Sequence, residues 1–297
     1  MKRFFYCLCV VLCAMSCSKG GEPVVCCGHL DNYVDFPSRY VSPRTVRVWT
    51  PTCYDPSKRY EVLYMHDGKM LFDASVTWNH QEWGVDEVVD SLISCGAIRE
   101  CIVVGIDNTD ERISDYCPDD IVQYLPAGSS VYRGLASQGN AYLSFLVDEV
   151  KPFVDSVYST YGDREHTWVL GSSCGGLISS YALCKYSDVF GGAACMSTHC
   201  TLAYPHPDAV DSLVVRAYRT YLEEHLPSAN SALLYMDNGD KTLDSFYGES
   251  QHAINVMLYQ HGWDSAHYMY RYFPGAAHCE DDWRARLDVP LKFLLGK

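Results

Sequence analysis

Basic residues are scarce in this chain. Its 297 residues carry 23 lysines and arginines against 37 aspartates and glutamates, a formal net charge of −14. Nucleic-acid binders present basic surfaces to the phosphate backbone, so this balance argues against a nucleic-acid partner. There is no internal repeat and no sign of a second domain. Cysteine spacings outside the N-terminal region do not resemble a structural zinc site, and no metal is called for. The apolar run from Phe4 to Met15 is too short to cross a bilayer comfortably. What remains is an ordinary globular composition, 48% hydrophobic and 20% charged, enough for one large domain.

That first apolar run reads as targeting rather than fold. Lys2 and Arg3 precede it and Ala14-Met15-Ser16-Cys17 closes it. The arrangement resembles a bacterial lipobox, which implies cleavage before Cys17, lipidation of that cysteine and a membrane anchor. The expected location is the bacterial cell envelope, outside the cytoplasm. Without Lys2 and Arg3, 21 basic residues face 37 acidic ones and the mature chain is near −16. Residues 18–30 read as a polar tether, and 31–297 as one domain. Of the 15 cysteines, 11 lie beyond Cys17. Cys101, Cys174, Cys184 and Cys195 read as small buried hydrophobes. Cys95 and Cys101 flank a turn and are candidates for pairing. Cys26, Cys27 and His29 form a small cluster of metal-ligand types in the tether, for which a metal is the minor reading. The 23 tyrosines and 6 tryptophans suit either packing or a pocket that stacks sugar or aryl rings.

Strand and helix signals alternate along the rest. Buried-strand runs occur at Thr45–Thr50, Glu61–His66, Cys101–Ile106, Thr167–Leu170, Ala193–Ser197, Ala232–Met236 and Tyr268–Phe273. Val85, Val88, Val89, Leu92 and Ile93 keep helical spacing, as do Leu143, Leu146, Val147, Val150, Val154 and Val157 despite Pro152. A last helix is expected over 283–295, with Pro290 near its middle. Alternation of this kind predicts a mainly parallel central sheet with helices on both faces, an α/β fold. Two polar stretches, 108–139 and 199–230, follow sheet strands, where site-forming loops gather.

The most specific motif is Gly171-Ser172-Ser173-Cys174-Gly175, a Gly-x-Ser-x-Gly between a strand and a helix. That context is a nucleophile elbow, with Ser173 on the turn. A serine nucleophile needs a base and an orienting acid, in the chain order Ser, Asp or Glu, His. His278 stands in the loop past the last strand, where the base is required. The acid should follow the strand 232–236. Asp244 is preferred over Asp240, while Asp237 still belongs to the strand end. The oxyanion donors should be the Cys174 amide and an amide at Gly68 or Lys69.

On these residues the chain resembles the esterase family of α/β-hydrolases that includes feruloyl and acetyl-xylan esterases, enterochelin-type esterases, esterase D and the mycolyltransferases. The matching pieces are His66-Asp67-Gly68-Lys69-Met70-Leu71-Phe72-Asp73, Trp78-Asn79 with Glu82-Trp83-Gly84, the elbow, Ser197-Thr198-His199, and Pro274-Gly275-Ala276-Ala277-His278 followed by Trp283 and Leu287-Asp288-Val289-Pro290-Leu291. They run from about residue 40 to the end of the chain. The resemblance implies the α/β-hydrolase fold, a Ser173–His278–Asp244 triad acting through an acyl-enzyme, and no cofactor. Cys174 and Lys69 stand where the family often carries Met or Leu, and Gln.

The leading expectation is a serine esterase acting on a small-molecule or polysaccharide ester, with acetyl or feruloyl groups on carbohydrate foremost. Trp78, His80, Glu82, Trp83 and His199 are the candidate substrate contacts. A siderophore trilactone esterase would want basic groups that this acidic chain offers sparingly. An acyltransferase, a peptidase and a non-catalytic binding lipoprotein of the same fold are the other readings.

Overall fold

The computed structural model describes residues 23–125, 137–200 and 212–297. The expected signal segment with Cys17, and the Tyr204-Pro205-His206-Pro207 stretch, lie outside the described residues.

The apolar runs form the sheet that their composition calls for. Among the described residues there are eight strands: β1 (His29–Phe36), β2 (Arg44–Thr50), β3 (Glu61–His66), β4 (Cys101–Ile106), β5 (Thr167–Ser172), β6 (Gly192–Met196), β7 (Leu233–Asn238) and β8 (Tyr268–Tyr272). Their order in the sheet is β1-β2-β4-β3-β5-β6-β7-β8. The first two pair antiparallel, β2 joins β4 antiparallel, and every pairing from β4 to β8 is parallel. This is the α/β-hydrolase fold.

Both faces of β3, β4, β5 and β6 are buried, because helices cover each side. Alternate residues divide between two cores. Val62, Tyr64, Val104 and Val169 face one. Leu63, Met65, Val103 and Leu170 face the other. Over the first core lie α3 (Gly139–Phe145), α4 (Lys151–Val157), α5 (Cys174–Lys185), α6 (Ser212–His225) and α7 (Gly248–Gln260). Helices α1 (Val85–Ser94) and α9 (Asp288–Leu295) cover the second. The short α2 (Arg112–Asp115) and α8 (Glu280–Arg284) sit at strand ends.

Two prolines shape the helices that carry them. Pro152 has no N–H to return to residue 148, so the helical run that spans it cannot stay regular. The chain widens into a π turn over Leu146–Val150, and Pro152 enters the first turn of α4. The expected helix over 283–295 is divided. Ala285–Leu287 separates α8 from α9, and Pro290 occupies the first turn of α9, where a missing donor costs nothing.

The N-terminal side departs from expectation. Residues 18–30 were read as a tether, yet β1 begins at His29. The Val24 amide donates to Asp73 Oδ2 at 2.8 Å, the Cys26 amide to Asp86 Oδ2 at 2.7 Å, and Trp49 Nε1 to the Cys27 carbonyl at 2.8 Å. From Val24 onward the chain is fastened to the domain. The Cys95–Cys101 pair is not formed: Cys95 is exposed and Cys101 points into the second core. His29 pairs with Asp31 at 3.0 Å rather than joining Cys26 and Cys27. Among the described residues no helix is long and apolar enough to cross a membrane.

At the C-terminal end of β3, His66 is 2% exposed and its Nδ1 lies 2.7 Å from the Tyr142 hydroxyl. Burial pushes its pKa down from the ordinary 6.5 to about 4. A histidine with a depressed folded-state pKa stabilises the fold above its unfolded pKa and loses that contribution as pH falls through the folded value. Stability should therefore drop by up to about 3 kcal/mol between pH 6.5 and pH 4 from this group. Urea titrations across that range should show a shallower drop in His66→Gln; an equal drop would contradict the assignment.

Candidate active site

Strand β5 runs straight into α5, and the single residue between them is Ser173. Its backbone adopts φ 57°, ψ −124°, which an L-residue rarely tolerates. Such a conformation costs about 1–3 kcal/mol and persists only where neighbours impose it. Here the end of β6 imposes it. The Ser173 amide donates to the Met196 carbonyl at 3.0 Å, and the Ser173 carbonyl accepts from the His199 and Leu177 amides. Gly171 is a steric necessity, and Gly176 is closely packed. A Cβ on Gly171 would lie 2.6 Å from the Gly175 carbonyl, and one on Gly176 3.1 Å from Thr198 Oγ1. Ser173 is thus raised on a sharp turn at the C-terminal edge of the sheet, with the Cys174 amide opening the next helix.

The acid and base meet across the loops after β7 and β8. Asp244 lies in a 3-10 turn over Thr242–Phe246, and its Oδ1 is 2.6 Å from His278 Nδ1. The other oxygen, Oδ2, accepts from Ser197 Oγ and from the Gly239 amide, both at 2.6 Å. Asp244 is 1% exposed. Burial alone would raise its pKa, but the bonds from His278, Ser197 and Gly239 outweigh it and hold the carboxyl below its ordinary range. The His278 amide donates to Thr242 Oγ1 at 2.8 Å, which fixes the loop. The carboxylate engages Nδ1, which fixes the orientation of the ring and sets Nε2 on its far side.

The two rival aspartates have other work. Asp240 accepts from the Tyr272 hydroxyl and from the Gly275 amide, both at 2.9 Å, so it ties the histidine loop to β8. It caps no helix. Asp237 is buried against Arg286, whose Nη2 is 3.1 Å from Oδ1. Burial raises the Asp237 pKa, and Arg286 opposes that rise.

Behind His278 stands an aromatic wall. Trp283 meets the imidazole edge to face at 4.9 Å and donates Nε1 to Ser197 Oγ at 3.0 Å. Trp83 packs on Trp283 at 5.5 Å between centroids and is only 3% exposed. Expected at the pocket as a substrate contact, Trp83 is instead core, because the indole behind the catalytic loop needs an apolar partner. Glu82 is likewise engaged, 2.9 Å from Arg284 Nη1. His199 is buried, with Nδ1 2.8 Å from the Tyr247 hydroxyl, and the Tyr247 ring reaches His278 at 5.8 Å. Trp78 is 83% exposed, and His80, with φ 57°, holds a left-handed turn beside it. The neighbouring Asn79 donates to Glu280 Oε2 at 2.8 Å, so this loop borders the one that carries His278.

The loop after β3 supplies the facing wall. Asp67 is left-handed at φ 58°, ψ 45°, and a 3-10 turn follows over Gly68–Met70. The turn's own bonds begin with the Met70 amide on the Asp67 carbonyl, leaving the Gly68 and Lys69 amides outside them. A Cβ on Gly68 would come within 2.7 Å of the Gly105 backbone, so only glycine lets the loop lie against β4. The Lys69 side chain is exposed.

Sequence reasoning did not single out Ser197 as a node, nor Arg286, Tyr247 or Arg112. Each acts through a partner remote in the chain, and only Ser197, inside Ser197-Thr198-His199, stood in a recognisable motif.

Comparison with known proteins agrees with this geometry. The family described as "Putative esterase" matches residues 38–294. The Bacillus subtilis protein YbbA is 24% identical over 151 residues, 50% of this chain and 54% of its own, so the chain spans about half the length of that curated relative. The IroE-like serine hydrolase from Shewanella oneidensis superposes with a TM-score of 0.66 at 22% identity, over 90% of this chain and 80% of that one. A feruloyl esterase module from Clostridium thermocellum, complexed with sinapinate, gives 0.62 at 18% identity, over 92% and 89%. These structural likenesses show the shared fold.

Ser197 is fully buried, and its hydroxyl serves Asp244, Trp283 and Arg286 at once. Ser197→Ala should destabilise the protein by about 2 kcal/mol or more, since buried donors lose their acceptor. Urea denaturation checks this, and wild-type stability would contradict the network. With the elbow, the buried Asp244–His278 pair and the matched family all in place, the chain belongs to the esterase family of α/β-hydrolases.

Proposed function

We propose that the protein is a serine esterase that cleaves carboxylic esters through an acyl-enzyme. The observation that carries this reading is the 2.6 Å contact between Asp244 and His278, in a site whose elbow holds Ser173 in a strained turn. Ser173 Oγ attacks the ester carbonyl as His278 Nε2 takes its proton. Asp244 stays ionised and stabilises the imidazolium. The new C–O⁻ accepts from the Cys174 amide and from Gly68 or Lys69. Collapse of the tetrahedral adduct breaks the alkoxy C–O bond while His278 returns the proton to the leaving alcohol. Water, deprotonated by the same imidazole, then attacks the acyl-Ser173 and frees the acid.

The substrate class we propose is an ester of an acyl or hydroxycinnamoyl group on carbohydrate. Trp78, exposed on the loop that borders His278, offers a flat face on which a sugar or aryl ring stacks. The sinapinate of the Clostridium thermocellum module supports the aryl side of this reading. Trp83 and Glu82 take no part in it, being engaged elsewhere.

The test is hydrolysis of an aryl acetate, methyl ferulate, acetylated xylan and a catechol trilactone. Ser173→Ala should abolish turnover in a folded protein. Asp244→Asn should lower kcat by roughly 1,000-fold or more, because the base loses its orienting anion. Asp240→Asn should change it far less. Turnover that survives Ser173→Ala would remove the proposed nucleophile, and preference for the trilactone would replace the carbohydrate reading.

A further inference from the structure

The two sides of the proposed oxyanion site come from separate segments. The Cys174 amide belongs to the elbow, and the Gly68 and Lys69 amides follow β3. Donors of this kind grip a developing oxyanion only if their spacing is held to about 0.5 Å. The Asp67 carboxylate, at the start of the second segment, lies against Gly175 of the elbow and is gripped by an arginine. Arg112, in α2, places Nε 2.6 Å from Asp67 Oδ1 and Nη2 2.8 Å from Asp67 Oδ2. Burial pushes the Cys174 thiol's pKa up, and the nearby Arg112 guanidinium opposes that rise.

Asp67 is the residue that most needs such a hold. It is left-handed, a conformation that an L-side chain adopts only under constraint, and it starts the turn that presents the Gly68 and Lys69 amides. Four groups constrain it. Arg112 takes both carboxylate oxygens, and Asn108 Nδ2 donates to Oδ1 at 2.8 Å. The Asp67 amide donates to the Tyr116 hydroxyl at 3.1 Å, and its carbonyl accepts from Met70. Tyr116 is buried, and Arg112 lies over its ring at 5.1 Å. The carboxylate also rests against the elbow: Oδ2 is 3.5 Å from where a Gly175 Cβ would sit.

Resting on the esterase reading above, we propose that Arg112 is a positioning residue that sets the width of the oxyanion site. Its fork fixes the Asp67 carboxylate, which belongs to the turn on one wall and rests against Gly175 of the elbow on the other. It contacts no reacting atom. The planar, two-pronged guanidinium is essential to this, because a lysine ammonium is a single point charge and cannot grip both carboxylate oxygens in a fixed geometry.

The test is steady-state kinetics with an aryl acetate for wild type, Ser173→Ala, Arg112→Ala, Arg112→Lys and Asp67→Asn. Arg112→Ala should lower kcat by about 100-fold, the loss seen when one oxyanion donor is misplaced. KM should stay unchanged, which general loosening of the pocket would not allow. Arg112→Lys should recover little of the loss, and added guanidinium ion should restore part of the kcat of Arg112→Ala alone. Asp67→Asn keeps the shape and tolerates the left-handed backbone, so it reads the clamp even if the Arg112 variants fail to fold. Its kcat should also fall at constant KM. A folded Arg112→Ala with wild-type kcat, full recovery in Arg112→Lys, or unaltered kcat in Asp67→Asn would each overturn the clamp while Ser173-dependent turnover keeps the esterase reading. Wild type without Ser173-dependent turnover would overturn both.

Discussion

Asp244 is a carboxylate with 1% of its surface exposed, and a buried anion must be surrounded by donors or give up its charge. Much of the C-terminal half of the chain is arranged to meet that demand. The end of β6 sends Ser197, the end of β7 sends the Gly239 amide, and the loop after β8 sends His278. Arg286 adds a cation 3.8 Å from Oδ2 while it pairs with Asp237. The imidazole is one of the groups that satisfy the acid, so orienting the base and stabilising the fold are one interaction. The same arrangement explains why Trp283 and Trp83 are buried. They close the apolar side of a site whose polar side is fully paired.

The complementary constraint is backbone held where it would not rest. Ser173 and Asp67 are both at positive φ, and the Asp67 carboxylate lies beside Gly175 of the elbow. Each is fixed by hydrogen bonds from a remote strand end or loop in addition to those of the helix or turn it opens. Strained residues of this kind cluster where a site must be rigid before substrate arrives. Preorganised amides then stabilise developing charge without first reorienting, which is where much of the rate advantage of such sites arises.

The sheet was legible because its signals are local. Val62-Leu63-Tyr64-Met65 and Ile102-Val103-Val104 are apolar runs that read as buried strands, and Gly171-Ser172-Ser173-Cys174-Gly175 is a local signature of one sharp turn. His278 and Asp244 followed from strand order. What was not legible depends on distant partners. Strand β1 is polar and half exposed, with a register shift between Tyr33 and Phe36, and only β2 makes it a strand. Trp83 and Trp78 look alike in sequence, five residues apart, yet Trp283 buries one and nothing covers the other. Ser197, Arg286 and Arg112 carry no motif of their own; their roles exist only once β6, α8 and the loop after β3 are brought together.

The central claim is that Asp244 and His278 activate Ser173 and no other hydroxyl. Labelling with an aryl fluorophosphonate, followed by peptide mass spectrometry, tests it without assuming a substrate. The account predicts one adduct per chain, on Ser173, formed far more slowly in Asp244→Asn. A folded protein that takes up no label, or one labelled elsewhere at the same rate in both forms, would contradict it.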